Sequence, residues 1–393
     1  MLKIALVTSV FPVPWDRTRG RPVYETARAL STMADVKVFF TTASYPKQRW
    51  LRPRGYFDGN LPADYSLPGV SMQAFGYPAL PMVSRPLNGF VSAACVTPRL
   101  RAFDPDVVLA YWIYPEGYGA LRAARRLGKP CVIGARGSDI RVRDRISARF
   151  TQVALRSADH VLTVSEELRG QAIARYGANA DAVTTIINGC NTELFRLRDR
   201  AQARAGLQVA PDCELITFVG RVVEAKGVAE LLRVFAGLAR ERGALRLALV
   251  GDGVYMGTLV RQIEALGLRE RVYTPGAVQP AEVAQWISAS NLLCLPSHSE
   301  GYPNVLVEAL ASGVPVVATD VGGTREIVDE QSGVMVPARD EVALAQALAQ
   351  VLERRWDPSA LSARFGRSWD DVARSTLAVC EAVQARVQAR RPS

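Results

Sequence analysis

Short apolar runs alternate with longer amphipathic stretches along most of this 393-residue chain, and the pattern restarts once. In the first half the runs lie at 3–8, 36–41, 107–111, 131–135, 160–164 and 184–187, with helical periodicity between several of them, as at 21–34 and 117–127. A polar, basic stretch follows at 195–211. The pattern then resumes at 215–219, 246–250, 272–274, 292–295 and 314–318. Near-continuous apolar runs of this length read as strands buried on both faces, and their alternation with helices predicts parallel sheets covered on both sides. We therefore expect an α/β protein of two doubly wound parallel-sheet domains, 1–195 and 196–368. Its ligands should lie beyond the carboxyl ends of the strands, in a cleft between the sheets.

Two loops carry the chemistry. The first, GRVVEAKG at 220–227, follows a strand and brings Arg221 and Lys226 to its mouth, with a helix opening near Val228. The second lies in the stretch 297–328, SHSEGYPNVLVEALASGVPVVATDVGGTREIV. It places Glu300 in a Gly/Pro/Asn turn and Glu308, after seven intervening residues, in a helix opening near Asn304. A strand, a polar turn and a helix start make an anion site, because unpaired backbone N–H groups and the helix dipole point into the turn. Carboxylates beside such a site suit a ligand with both hydroxyls and phosphates, such as a sugar nucleotide. Two preorganised cations would stabilise a departing diphosphate.

The stretch 297–328 resembles the donor-binding signature of retaining glycosyltransferase family 4, the GT-B group that includes many polysaccharide and glycolipid synthases. The resemblance is strong from 215 to 338 and looser before. It implies a GT-B fold of two Rossmann-like domains facing a central cleft, with a C-terminal helix at 369–393 crossing back to the first domain. It also implies metal-independent, retaining transfer from a UDP- or GDP-linked sugar to a saccharide or lipid-linked hydroxyl in cell-surface polysaccharide or glycolipid synthesis. By the same resemblance Arg221 and Lys226 hold the diphosphate, Glu300 the sugar hydroxyls and Glu308 the ribose. Gly301, Tyr302, Pro303, Asn304 and Val305 form the phosphate turn, and the base falls near 276–279, around Val278. In the first domain the loop at 10–30, which in the family closes over the donor phosphate and acceptor, keeps one glycine, Gly20, where relatives often have a pair; Gly20 is expected on the donor, and Arg21, which follows it, on the phosphate or acceptor side. Arg136 stands where many members carry a histidine, so it is expected on the phosphate or acceptor side, with Asp139 orienting it. Asn191 stands where an aspartate is common.

Other readings compete. Gly251, Gly253 and Gly257 form a loose dinucleotide fingerprint, but the next strand ends in Pro275 and Gly276 without the acidic residue that NAD binding wants. Asp104 and Asp106 spell DxD but precede their strand, as a proline turn would. With two histidines, a histidine-based metal site is not expected, and neither a metal nor another cofactor is implied. His160 reads as core, and His298 as near the ligand. Six cysteines without CxxC spacing fit buried thiols in a reducing cytoplasm. The start, MLKIALVTSVFP, reads as a buried strand rather than a signal peptide, and no apolar run is long enough to span a bilayer. A net charge of +10 asks for an anionic partner. Nucleic-acid motifs are missing, whereas the stretch 45–57 interleaves Lys47, Arg49, Arg52 and Arg54 with Trp50 and other aromatics, suiting the anionic inner face of a membrane. A non-catalytic sugar-nucleotide-binding protein and a GT-B epimerase are the alternatives. The Schiff-base lysine motif of a phosphorylase is not found.

Overall fold

The computed structural model describes residues 1–46, 61, 65–80, 84–142 and 144–389. The basic residues Lys47, Arg49, Arg52 and Arg54 and their neighbour Trp50 lie outside the described residues. The chain forms two compact units, Met1–Gly189 with Trp369–Ser393, and Cys190–Ser368.

The first unit holds seven strands: β1 (Lys3–Thr8), β2 (Asp35–Ser44), β3 (Ser71–Pro78), β4 (Val107–Tyr111), β5 (Cys131–Ala135), β6 (His160–Thr163) and β7 (Val183–Thr185). Every neighbouring pair is parallel, in the order β3-β2-β1-β4-β5-β6-β7. The central strands are buried throughout because every residue of β4 and β5 is enclosed. The C-terminal helix Trp369–Ala389 buries Val372, Ala373, Cys380 and Val383 in the same core as Val23, Ala27 and Leu30 of the helix Arg21–Leu30. Strand β3 has no counterpart in the apolar pattern. It is an edge strand, and most of its side chains face water, so it carries no buried run.

The second unit holds β8 (Glu214–Val219), β9 (Leu245–Val250), β10 (Val272–Gly276), β11 (Leu292–Leu295), β12 (Val316–Thr319) and β13 (Gly333–Val336), parallel in the order β10-β9-β8-β11-β12-β13. Alternate residues serve opposite faces. Ile216, Phe218, Leu247 and Leu249 join one core, and Leu215, Ala248 and Val250 the other. Each large side chain so enclosed contributes about 1.5–3 kcal/mol. Strand β13 was also unread from sequence, being four residues long at the opposite edge. The unit closes on itself through a bridge between Cys190 and Ser368.

The helix Arg200–Gly206 is pinned under this sheet by one cation. Arg204 is buried; its Nε donates to Ala289 O at 3.0 Å and its Nη2 to Asn291 Oδ1 at 2.7 Å, while Nη1 donates to Pro211 O. Asn291 Oδ1 also accepts from Leu215 N at 2.8 Å at the start of β8. Arg204→Ala strands two carbonyls and should cost about 2–3 kcal/mol, seen as a lower urea midpoint at unchanged slope.

Candidate active site

In a doubly wound sheet the strand order reverses at one place, and the loops on either side of the reversal part to leave a crevice at the carboxyl edge. In the second unit that place lies between β8 and β11. The loops 220–227 and 296–304 leave these two strands, and each runs into a helix: Val228–Glu241 after the first, Asn304–Ala311 after the second. The N-cap residues are Gly227 and Pro303, neither of which makes a side-chain capping bond. Two positive helix ends therefore open on neighbouring loops.

The loops abut closely. Gly227 has φ 66°, and a Cβ there would sit 2.0 Å from Pro296 O, so no side chain is tolerated. His298 N donates to Ala225 O at 2.9 Å. Across this seam Lys226 Nζ meets Glu300 Oε1 at 2.5 Å, with side-chain exposures of 22% and 11%. His298, expected near the ligand, is engaged with Glu230, Nε2 to Oε1 at 3.0 Å, which fixes the segment leading to Glu300. Ser297 O accepts from Thr319 Oγ1 at the end of β12. Gly301 O accepts from Gly323 N at 2.9 Å, so the turn 301–305 is backed by the loop after β12. Burial, with Glu326 nearby, pushes the Tyr302 phenol up to about 12. Glu308 lies half-buried on the helix that the turn opens. Arg221 is exposed at the mouth of β8. Val278, half-buried, follows β10 on the same carboxyl edge and packs against the apolar cluster that includes Trp286 and Val250.

The glycines of the loose dinucleotide fingerprint have another use. A Cβ on Gly251 would lie 1.9 Å from Gly220 O, and one on Gly253 would lie 2.2 Å from Val222 O. Val222 N donates to Asp252 O at 2.9 Å, and Tyr255 N to Val222 O at 3.1 Å. These glycines let the loop after β9 support the loop 220–227 from beneath. The DxD pair sits at the amino edge of the first sheet, away from the strand ends where ligands bind. Asp104 pairs with Lys129 at 2.8 Å, and Asp106 accepts from Lys3 N at 2.9 Å. His160 Nε2 lies 2.8 Å from Thr184 Oγ1.

In the first unit the order reverses between β1 and β4. Gly20, φ 59°, starts the helix after β1, and a Cβ there would strike Val10 O at 2.3 Å. Arg21 pairs with Glu25 at 2.5 Å. Arg136, after β5, donates through Nη1 to Asn188 Oδ1 at 3.1 Å and lies over the Tyr111 ring at 4.8 Å. Its Nη2 is closed off without a hydrogen-bond partner among the described residues. Burial lowers the Arg136 pKa, partly offset by Tyr111 and Asp139. Asp139 holds backbone instead of the guanidinium: its Oδ1 accepts from Arg136 N at 2.9 Å and Gly137 N at 2.8 Å.

One buried group at this reversal escaped the sequence reading. Glu116, in the loop after β4, is 4% exposed and accepts from Tyr77 Oη at 3.0 Å through Oε1. Nearby, Arg19 Nη2 donates to Ser9 O at 2.7 Å. Burial raises the Glu116 carboxyl to about 7, against stabilising contacts from Ser9, Tyr77 and Arg19. The only sequence signal was a lone carboxylate among aromatics, YWIYPEGYG, directly after a buried strand.

Two parallel-sheet units, each with its reversal at the carboxyl edge, define the GT-B type of transferase fold. The glycosyl transferases group 1 profile matches residues 199–368, and the glycosyltransferase family 4 profile matches residues 20–194. D-inositol 3-phosphate glycosyltransferase of Frankia alni is 33% identical over 293 residues, covering 68% of this chain and 71% of that protein. Putative teichuronic acid biosynthesis glycosyltransferase TuaC of Bacillus subtilis is 27% identical over 370 residues, 91% of each. Anabaena Alr3699/HepE, solved with UDP-glucose, superimposes with a TM-score of 0.67 at 18% identity, covering 98% of this chain and 100% of that one. The chain belongs to glycosyltransferase family 4 and is a glycosyltransferase.

Because the folded Glu116 carboxyl has its pKa raised from 4.5 to about 7, the folded protein binds the extra proton between those values. Its ionisation therefore costs stability as pH rises through that window. Glu116→Gln should gain on the wild type by up to roughly 3 kcal/mol between pH 5 and pH 8 in urea unfolding, and by nothing below pH 4.

Proposed function

We propose that the β8/β11 reversal binds the diphosphate of a nucleotide sugar, UDP- or GDP-linked, and that the protein transfers the sugar with retention of anomeric configuration and without a metal. The observation that carries this reading is the Lys226–Glu300 contact beside two helix amino ends that begin at Gly227 and Pro303. One group is a cation suited to phosphate, its partner is a carboxylate suited to sugar hydroxyls, and the helix ends supply further positive potential. The UDP-glucose complex of the Anabaena protein supports a uridine donor.

In this reading the bond between the sugar's anomeric carbon and the diphosphate breaks, and a bond to the acceptor oxygen forms on the same face. The acceptor proton passes to the departing phosphate oxygen. Lys226 and Arg221 hold the charge that develops on that phosphate, Glu300 fixes the sugar, Glu308 takes the ribose hydroxyls, and Val278 borders the base. The protein supplies position and preorganised charge rather than a strong base. Arg136, half-buried directly after β5 at the carboxyl edge of the first sheet, is our candidate for an anionic group on the phosphate or acceptor side. The two curated relatives are named for D-inositol 3-phosphate and for teichuronic acid biosynthesis, so the acceptor varies among relatives. We assign this chain a saccharide or lipid-linked hydroxyl in cell-surface synthesis.

Lys226→Ala and Arg221→Ala should each lower kcat by about 100-fold or more, the usual cost of removing one preorganised donor to a developing charge. Nucleoside diphosphate release from a UDP-sugar panel measures this, and a chelator should change nothing. Full turnover in both variants would sink the diphosphate assignment. A product of inverted anomeric configuration by NMR would sink retention.

A further inference from the structure

Three helices cover one side of the first unit's sheet: Asn88–Phe103, Tyr118–Arg126 and Arg145–Ser157. A surface helix ordinarily turns its charges outward and its apolar residues to the core. The helix Asn88–Phe103 departs from that rule. Its inner side buries Ala93, Val96 and Leu100, yet Phe90, Ala94 and Pro98 are exposed on its outer side, and Leu87, just before it, is 58% exposed. On Arg145–Ser157 the residues Ile146 and Val153 flank Phe150 and are 46% and 41% exposed. The ring of Phe90 meets that of Phe150 at 5.8 Å between centroids, so the two sets of apolar residues form one patch.

The charge on this face has one sign. The three helices carry two, three and three arginines and no aspartate or glutamate. Arg126, Arg145 and Arg149 are exposed. Arg122 lies over the Phe90 ring at 4.6 Å. The acidic groups beside the face are committed: Asp144 pairs with Arg85 at 2.8 Å, Asp104 pairs with Lys129, and Glu116 is buried.

We propose that this face is a docking surface for an anionic phospholipid bilayer. Apolar side chains at the centre enter the acyl boundary, and the surrounding arginines meet phosphate headgroups. A second copy of the chain would bring the same positive face and be repelled. A nucleic acid would leave Leu87, Ile146 and Val153 against phosphates. The helices Asn88–Phe103 and Arg145–Ser157 both start at the carboxyl edge of the sheet, so a bilayer held there lies at the edge where strand-end loops bind ligands. The proposal stands without the donor assignment, and it places the membrane contact on a folded face in addition to the stretch 45–57.

The test is flotation of the full chain with phosphatidylcholine vesicles, with and without phosphatidylglycerol. Three variants are compared: Leu87→Ser/Ile146→Ser/Val153→Ser, Arg145→Gln/Arg149→Gln, and one with Lys47, Arg49, Arg52 and Arg54 all changed to Gln. Thermal unfolding checks that each is folded. Binding should need phosphatidylglycerol, be lost in the serine variant and weaken about 30-fold in the two-arginine variant. Three results would overturn the proposal. The first is no binding to either vesicle. The second is loss of binding only in the 45–57 variant. The third is a vesicle-free dimer that the serine variant dissolves.

Discussion

Right-handed crossovers in a parallel sheet put every helix start on the same edge, and the order of the strands decides where that edge opens. In the second unit the order turns at β8 and β11, so the two loops that must part are those carrying Arg221 with Lys226 and Glu300 with the turn 301–305. Everything in the candidate site follows from that turn. Had β8 lain at an edge, its loop would have faced a single neighbour, and the two helix ends would not serve one ligand.

Once the loops part, something must hold them at a fixed spacing. Glycines set the backbone approach, at Gly227 against Pro296 and at Gly251 and Gly253 against the loop 220–227. The His298 N to Ala225 O bond and the His298–Glu230 pair tie the segment before Glu300 to residues on either side of Lys226. These contacts hold the two loops at a fixed spacing. That is the condition under which fixed charges act most strongly on a developing one.

Much of this was legible in the sequence, for an identifiable reason. Strands β4, β5 and β11 are buried along their length and β1 from Ile4 onward, so composition alone marks them at 3–8, 107–111, 131–135 and 292–295. The edge strands β3 and β13 lack a buried run and went unread. Missing β3 hid Tyr77, and with it the partner that marks Glu116 as a buried carboxylate. The loops 220–227 and 296–304 were legible as motifs, but the contact of Lys226 with Glu300 spans 74 residues and depends on strand order, which residue types do not reveal. Arg21 and Asp139 show the converse. Their partners, Glu25 and the Arg136 and Gly137 amides, are local, and the resemblance that put Arg21 on the phosphate or acceptor side and Asp139 behind Arg136 gives no sign of them.

The central claim is that one diphosphate occupies the β8/β11 reversal. Hydrogen exchange of the backbone amides with and without saturating UDP tests it most directly. Slowed exchange is expected in 220–228 and 301–306, the loops and first helical turns on either side of the reversal. Slowing confined to 251–257, or UDP binding that leaves both loops unchanged, would contradict it.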